Sequence, residues 1–334
     1  MKICIYGAGA IGGWIGARLG DPSQALGHQL SVVARGNTLA ALQQHGLRLQ
    51  PAAGGQPAPE VIAAPVTANA DPAALGVQDL VIVAVKAPAL LEVARQIAPL
   101  LGPDTIVMTA MNGVPWWFLH GFGGGFANTP LHAVDATGDI AAAIPHAQVI
   151  GCVVHASCSL TAPGFVHQHF GNKLILGEPR GGHSERLTAL VNALTGAGLD
   201  ATASAQIQRD TWYKLWGNMT VNPISALTGA TTDLILGDEL VRNFVSSVML
   251  EAKDIGARIG IPIDQQPEDR HEVTRKLGAF KTSMLQDVEA GRAIELDALV
   301  AVVRELGQVT GVATPFTDAL LGLARLHARV RGLY

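Results

Sequence analysis

Cysteine is scarce in this chain of 334 residues, which has only Cys4, Cys152 and Cys158. So few thiols, odd in number and far apart, cannot build a disulfide framework, and they suit a reducing cytosol. Charge is thin as well, at 15% of residues with a net charge of −4. No basic run appears, which argues against a nucleic-acid or anionic-membrane partner. No uninterrupted apolar run reaches the roughly 18 residues that a transmembrane helix needs. The apolar N-terminus is broken by five glycines within its first 18 residues, unlike a secretory signal. His155, His167 and His169 lack a cysteine or carboxylate set at zinc spacing, so no metal is expected. In place of these features stand 49% hydrophobic residues, enough for large cores, and a length that suggests two domains.

The first motif comes at once. Residues 2–6 form a short apolar run that ends in Gly7-Ala8-Gly9-Ala10-Ile11-Gly12. This reads as a buried strand, a tight turn and a helix start. Gly7 permits the turn, Gly9 lets a pyrophosphate approach the backbone, and Gly12 lets helix and strand pack closely. The phosphates would sit on the helix N-terminus. Residues 30–34 form the next strand. An NAD site usually places Asp or Glu at its exit, but here Arg35-Gly36-Asn37 follows. A guanidinium suits a 2′-phosphate, so NADP is favoured over NAD.

Residues 42–68 are polar, rich in Pro and Gly in the middle, and read as an irregular hairpin or excursion. Residues 80–85 are a buried parallel strand ending at Lys86, and 105–110 are another, followed by Asn112. Both residues fall at strand carboxyl ends, where doubly wound sheets bind ligands. Trp116-Trp117-Phe118 and the glycine-rich loop 120–129 come next, as either a substrate wall with a flap or ordinary core packing. Residues 149–161, 165–169 and 173–176 read as further strands and 185–196 as a helix, and 200–203 closes the first domain. From about residue 206 the chain turns almost wholly helical. The expected organisation is α/β: a Rossmann-type dinucleotide-binding domain over 1–205 and an all-helical domain over 206–334.

Within the helical half, residues 209–223 (RDTWYKLWGNMTVNP) stand out. Lys214, Asn218 and Asn222 lie at i, i+4 and i+8, and each such step turns only about 40°, so they share one helix face. Their neighbours are mostly apolar. A buried ammonium and two amides in such a stripe need partners or a ligand. Further on, Ser283 opens a segment SMLQD, and Glu295 stands between Ile294 and Leu296, as a surface charge or a buried partner for a cation such as Lys214.

These residues together resemble the ketopantoate reductase (2-dehydropantoate 2-reductase) family, essentially end to end. The markers are Gly7-x-Gly9-x-x-Gly12, Arg35, Val85-Lys86, Asn112-Gly113, Lys214-x3-Asn218-x3-Asn222-Pro223, Ser283-Met284-Leu285-Gln286-Asp287 and Glu295-x-Asp297. The resemblance implies NADPH-dependent reduction of a 2-keto acid, with Lys214 as the general acid. Partial desolvation makes an ammonium proton easier to release, so the assignment is chemically coherent. It further implies that Glu295 binds a substrate hydroxyl, orients Lys214 and borders the cofactor. Asn218, Asn222 and Ser283 would hold the substrate, Asn112 would lie by the nicotinamide and the reacting carbonyl, and Arg35 and Lys86 would serve the cofactor. Such proteins are cytoplasmic, and many form homodimers. The run Trp116-Trp117-Phe118 departs from the family's pattern. It motivates a second reading, a paralogous NADP-dependent enzyme for a larger or more apolar keto or hydroxy acid.

Overall fold

The computed structural model describes residues 1–54 and 59–334. Packing divides the chain into two units. The first comprises Met1–Met111 and Asp139–Ile207, the second Asn112–Gly138 and Gln208–Tyr334. The segment Asn112–Gly138 lies inside the range 1–205 in sequence, yet it packs with the helices.

In the first unit the described strands are β1 (Lys2–Tyr6), β2 (Gln29–Val33), β3 (Leu47–Gln50), β4 (Ile62–Ala64), β5 (Thr67–Asn69), β6 (Leu80–Val83), β7 (Ile106–Thr109), β8 (Val149–Ala162), β9 (Phe165–Gly177) and β10 (Asp200–Ala203). They form one sheet in the order β4-β3-β9-β8-β7-β6-β1-β2-β5, with β10 paired to β9. From β5 through β8 every pairing is parallel. The helices are α1 (Ala10–Leu19), α2 (Gly36–His45), α3 (Leu90–Gln96), α4 (Asp139–Ala143) and α5 (Glu185–Gly196). β1 is buried beyond its first residue and β6 throughout, the pattern of strands covered on both faces.

Two local readings change. The stretch 42–68 contains the end of α2, the antiparallel pair β3 and β4, and the start of β5. The middle of its Pro/Gly-rich part, 55–58, lies outside the described residues. The segments 165–169 and 173–176 are one strand, β9, antiparallel to β8 across register shifts. Those irregularities break the alternation that would have revealed a continuous strand.

The second unit holds α6 (Ile207–Thr228, starting one residue before the unit boundary), α7 (Thr232–Gly237), α8 (Glu239–Arg258), α9 (Pro267–Arg275), α10 (Ser283–Glu289), α11 (Val302–Thr310) and α12 (Pro315–Val330), with a π-helical turn, Asp297–Ala301, leading into α11. One buried cluster joins α6, α8, α11 and α12. Trp212 Nε1 donates to the Ala252 carbonyl (3.2 Å) and Trp216 Nε1 to that of Met249 (2.7 Å), both on α8. Buried Glu251, also on α8, accepts from the Phe316 and Thr317 amides, each 2.8 Å away, and from the Thr317 hydroxyl. A carboxylate thus satisfies orphan donors at the N-terminus of α12.

Among the described glycines of the first unit, Gly12 leaves the least room for a side chain, where α1 meets the turn that precedes it. A Cβ on Gly12 would stand 2.1 Å from the Gly7 carbonyl oxygen and 3.0 Å from Ile5 Cγ2. Gly12→Ala should therefore destabilise the first unit by about 1–3 kcal/mol, the cost of overpacking. Urea unfolding followed by far-UV circular dichroism measures this, and an unchanged midpoint would refute the close-packing account.

Candidate active site

Three of the sequence-marked groups converge on one edge of the sheet. β1, β2 and β6 are adjacent and parallel, so the turn Gly7–Gly12, Arg35 and Lys86 all follow strand carboxyl ends on the same side. The chain goes from β1 to β2 on one flank and later returns to β6 on the other, the switch point at which such sheets bind ligands. Gly7 has φ +103°, and its missing Cβ would stand 2.7 Å from Val85 Cγ1. At Gly9 a Cβ would meet nothing within 4 Å, so the approach to the backbone is open. Gly9 also caps α1 without a side-chain acceptor, which leaves the first helical amides to a ligand. Ala8 is buried, while Ala10 and Ile11 are partly exposed along this approach. These features fit a dinucleotide pyrophosphate. Arg35 is exposed, with its guanidinium 3.0 Å from Gln96 Oε1 and 3.3 Å from Glu92 Oε1 on α3. Lys86 is exposed just beyond β6.

The second group lies in the helical unit. Lys214 and Asn218 are half-buried and Asn222 is buried along one stripe of α6. The Trp212 and Trp216 indoles lie about 160° round the helix from Lys214, so their bonds to α8 fix which way the polar stripe points. Lys214 Nζ donates to Asn112 Oδ1 at 2.8 Å. Asn112 reaches it because the next two residues dock on the π-helical turn. The Val114 amide donates to the Ala298 carbonyl (2.8 Å), and a Cβ on Gly113, whose φ is +85°, would stand 2.4 Å from that same oxygen. Glu295, buried, lies two residues before this turn, and its carbonyl accepts from the Leu299 amide. Ser283 is the exposed first residue of α10, where the Thr282 hydroxyl provides the cap.

The pairing of Lys214 with Asn112 was not legible in the sequence, because 102 residues separate the two. The aromatic run is core. Trp116, Trp117 and Phe118 are buried, and Phe118 packs on Trp212 with ring centroids 5.9 Å apart. The following loop is closed on itself: Asn128 Oδ1 accepts from the Gly121 amide and the Asn128 amide donates to the Leu119 carbonyl. Further along, Glu305 accepts from the His132 and Ala133 amides, both at 2.7 Å. Among the described residues no group of three or more His, Cys, Asp and Glu side chains is placed to hold a metal. His167 and His169 lie with ring centroids 4.6 Å apart at a tilt of 60°, and Ser159 Oγ bonds His169 Nε2.

The parallel sheet with its open glycine turn, and the helical unit with its fixed lysine, define a Rossmann-type dinucleotide-binding protein with an all-helical second unit. The family model described as Ketopantoate reductase PanE/ApbA matches residues 3–181, and the one for its C-terminal part matches 206–328. A 2-dehydropantoate 2-reductase of Mesorhizobium japonicum is 45% identical over the whole of both chains. Among solved structures, a candidate ketopantoate reductase from Ralstonia solanacearum MolK2 is 56% identical with a TM-score of 0.93, covering 100% of this chain and 99% of that one. A 2-dehydropantoate 2-reductase from Geobacter metallireducens is 26% identical with a TM-score of 0.83, covering 98% and 99%. The chain belongs to the ketopantoate reductase family, a family of oxidoreductases.

Proposed function

We propose that this protein reduces 2-dehydropantoate (ketopantoate) to pantoate with NADPH, as a step in pantothenate biosynthesis. The observation that carries the reading is the ammonium of Lys214 held by Asn112 on a helix stripe that continues through Asn218 and Asn222. The bound dinucleotide would supply a hydride to the keto carbon. As the carbonyl oxygen gains negative charge, the Lys214 ammonium stabilises it and passes it a proton, and the neutral amine then regains a proton from water. Arginine could not serve here, because a guanidinium does not release its proton in proteins. Asn112 spends its carbonyl oxygen on one N–H of the ammonium, which orients the other donors. Asn218, Asn222 and Ser283 are assigned to the substrate's carboxylate and hydroxyl, and buried Glu295 to a substrate hydroxyl and to the edge of the cofactor. The burial of the aromatic run removes the motive for a larger, more apolar substrate. The test is NADPH oxidation with ketopantoate beside bulkier 2-keto acids, for wild type and Lys214→Ala. Wild type should prefer ketopantoate, and the variant should lose about a hundred- to ten-thousandfold in turnover with cofactor binding retained. Near-normal turnover in the variant would remove Lys214 from the chemistry.

The turn Gly7, Ala8, Gly9, Ala10, Ile11 and Gly12 is assigned to the pyrophosphate, with Lys86 nearby and Arg35 at the 2′-phosphate. Arg35 is exposed, and its present partners, Glu92 and Gln96, are exchangeable surface groups. A dianionic phosphate would compete well for the guanidinium. Arg35→Ala should raise the KM for NADPH about ten- to a hundredfold and leave that for NADH nearly unchanged. Equal losses for both cofactors would sink the 2′-phosphate role.

A cytoplasmic homodimer completes the reading. Cys4, Cys152 and Cys158 form no disulfide, and no described helix is long and apolar enough to cross a membrane. On α12, Phe316, Ala319, Leu323, Leu326 and Val330 are all exposed at three- and four-residue spacing, with Val330 at 80%. That is the seam of a helix that pairs with another. The double change Leu323→Lys, Leu326→Glu should convert a dimer to a monomer by light scattering while the circular dichroism stays native. An unchanged mass would exclude this face.

A further inference from the structure

The groups around Glu295 are held by a segment that the catalytic reading does not use. α12 ends in a Schellman motif: the Leu333 amide donates to the Ala328 carbonyl (2.8 Å) and the Gly332 amide to that of Arg329 (3.1 Å), with Gly332 at φ +67°. This turn folds Leu333 and Tyr334 back across the helical unit. The Leu333 carbonyl accepts from the Ile294 amide at 3.1 Å, one residue before Glu295. The Tyr334 hydroxyl donates to Asp297 Oδ1 at 2.6 Å, two residues after it. Leu333 is buried in the same cluster as Ile294 and Leu296. The Arg329 guanidinium lies 5.5 Å from the centre of the Tyr334 ring, steadying the ring from its other side.

Both bonds flank the one buried carboxylate of this segment, and they do so where the backbone changes from extended chain to the π-helical turn. Burial and the bonded Asp297 carboxylate push the Tyr334 phenol up to about 12, so it remains a donor over the working pH range.

We infer that Leu333 and Tyr334 form a strap that positions Glu295 for the keto acid, with Tyr334 acting through Asp297. The strap touches no reacting atom, so Tyr334 is a positioning residue. The inference rests on the assignment of Glu295 to the substrate. Tyr334→Phe removes the hydroxyl and keeps the ring, so the circular dichroism should stay native and the preference for NADPH over NADH, assigned to Arg35, should not move. The kcat/KM for ketopantoate should fall about three- to tenfold, the worth of one hydrogen bond, chiefly through the KM of the keto acid. Asp297→Ala should repeat this loss, whereas Asp297→Asn keeps an acceptor for the phenol and should stay near wild type.

The decisive measurement is a double-mutant cycle with Glu295→Gln. If the strap works by placing Glu295, Tyr334→Phe should add no loss in the Glu295→Gln background. Multiplying losses would overturn the strap, as would a Tyr334→Phe enzyme with wild-type kinetics beside an impaired Glu295→Gln enzyme; in either case the assignment of Glu295 would stand. An unimpaired Glu295→Gln enzyme would overturn that assignment and the strap with it.

Discussion

The placing of Asn112 beside Lys214 depends on one close approach, the backbone of Gly113 against the carbonyl of Ala298. A side chain at 113 would put a carbon 2.4 Å from that oxygen, well inside van der Waals contact, and would also be strained at φ +85°. The oxygen accepts the Val114 amide instead, so a π-helical turn and a loop lock together. Widened turns of this kind recur at functional sites because they redirect carbonyls out of the helical ladder. Here the Ala298 carbonyl takes the Val114 amide, two residues after the Asn112 that bonds Lys214. The asparagine is thus set by backbone bonding, which is stiffer than any side-chain contact could make it.

The direction of Lys214 has a different origin. The stretch of α6 that carries it is buried on most sides, so its apolar pattern does little to choose a facing. Trp212 and Trp216 choose it. Each buries a large ring, an upper bound of about 4–6 kcal/mol by area, and each indole N–H finds a carbonyl on α8. Pro223 acts against the helix by removing the donor that the Met219 carbonyl would have used, at a cost of about 3 kcal/mol. The two tryptophans outweigh that, and α6 runs on to Thr228. A proline one residue past Asn222 therefore does not end the stripe.

Much of this was legible in the chain itself. Helix 185–196 stands at its expected bounds, and the Ser184 hydroxyl caps it. The glycine turn was legible because each glycine answers a separate steric demand within a few residues. The ketopantoate reductase family was legible because its markers are spread through the whole chain. What escaped was non-local. Nothing near Asn112 announces a lysine 102 positions away. Nothing in Trp116-Trp117-Phe118 distinguishes a substrate wall from a core until Trp212 is known to pack on Phe118. The strap was hidden for the same reason, since a Leu-Tyr pair after a helix has no signature until its partners at 294 and 297 are placed.

The segment Asn112–Gly138 explains why the most consequential pairing was also the least visible. In sequence it interrupts the Rossmann-type chain between β7 and α4, and the family match over 3–181 runs straight through it. In packing it belongs to the helices: Gln208 donates to the Phe118 carbonyl, Glu305 clamps His132 and Ala133, and Gly113 rests on Ala298. The contact of Asn112 with Lys214 is therefore internal to one unit. In the proposed reaction Lys214 is the general acid, which must meet its substrate in a set orientation, and misplacement by about 1 Å can cost a hundredfold in rate. By lending one excursion of the nucleotide-binding chain to the helical unit, the fold makes the orientation of the ammonium a property of that unit alone.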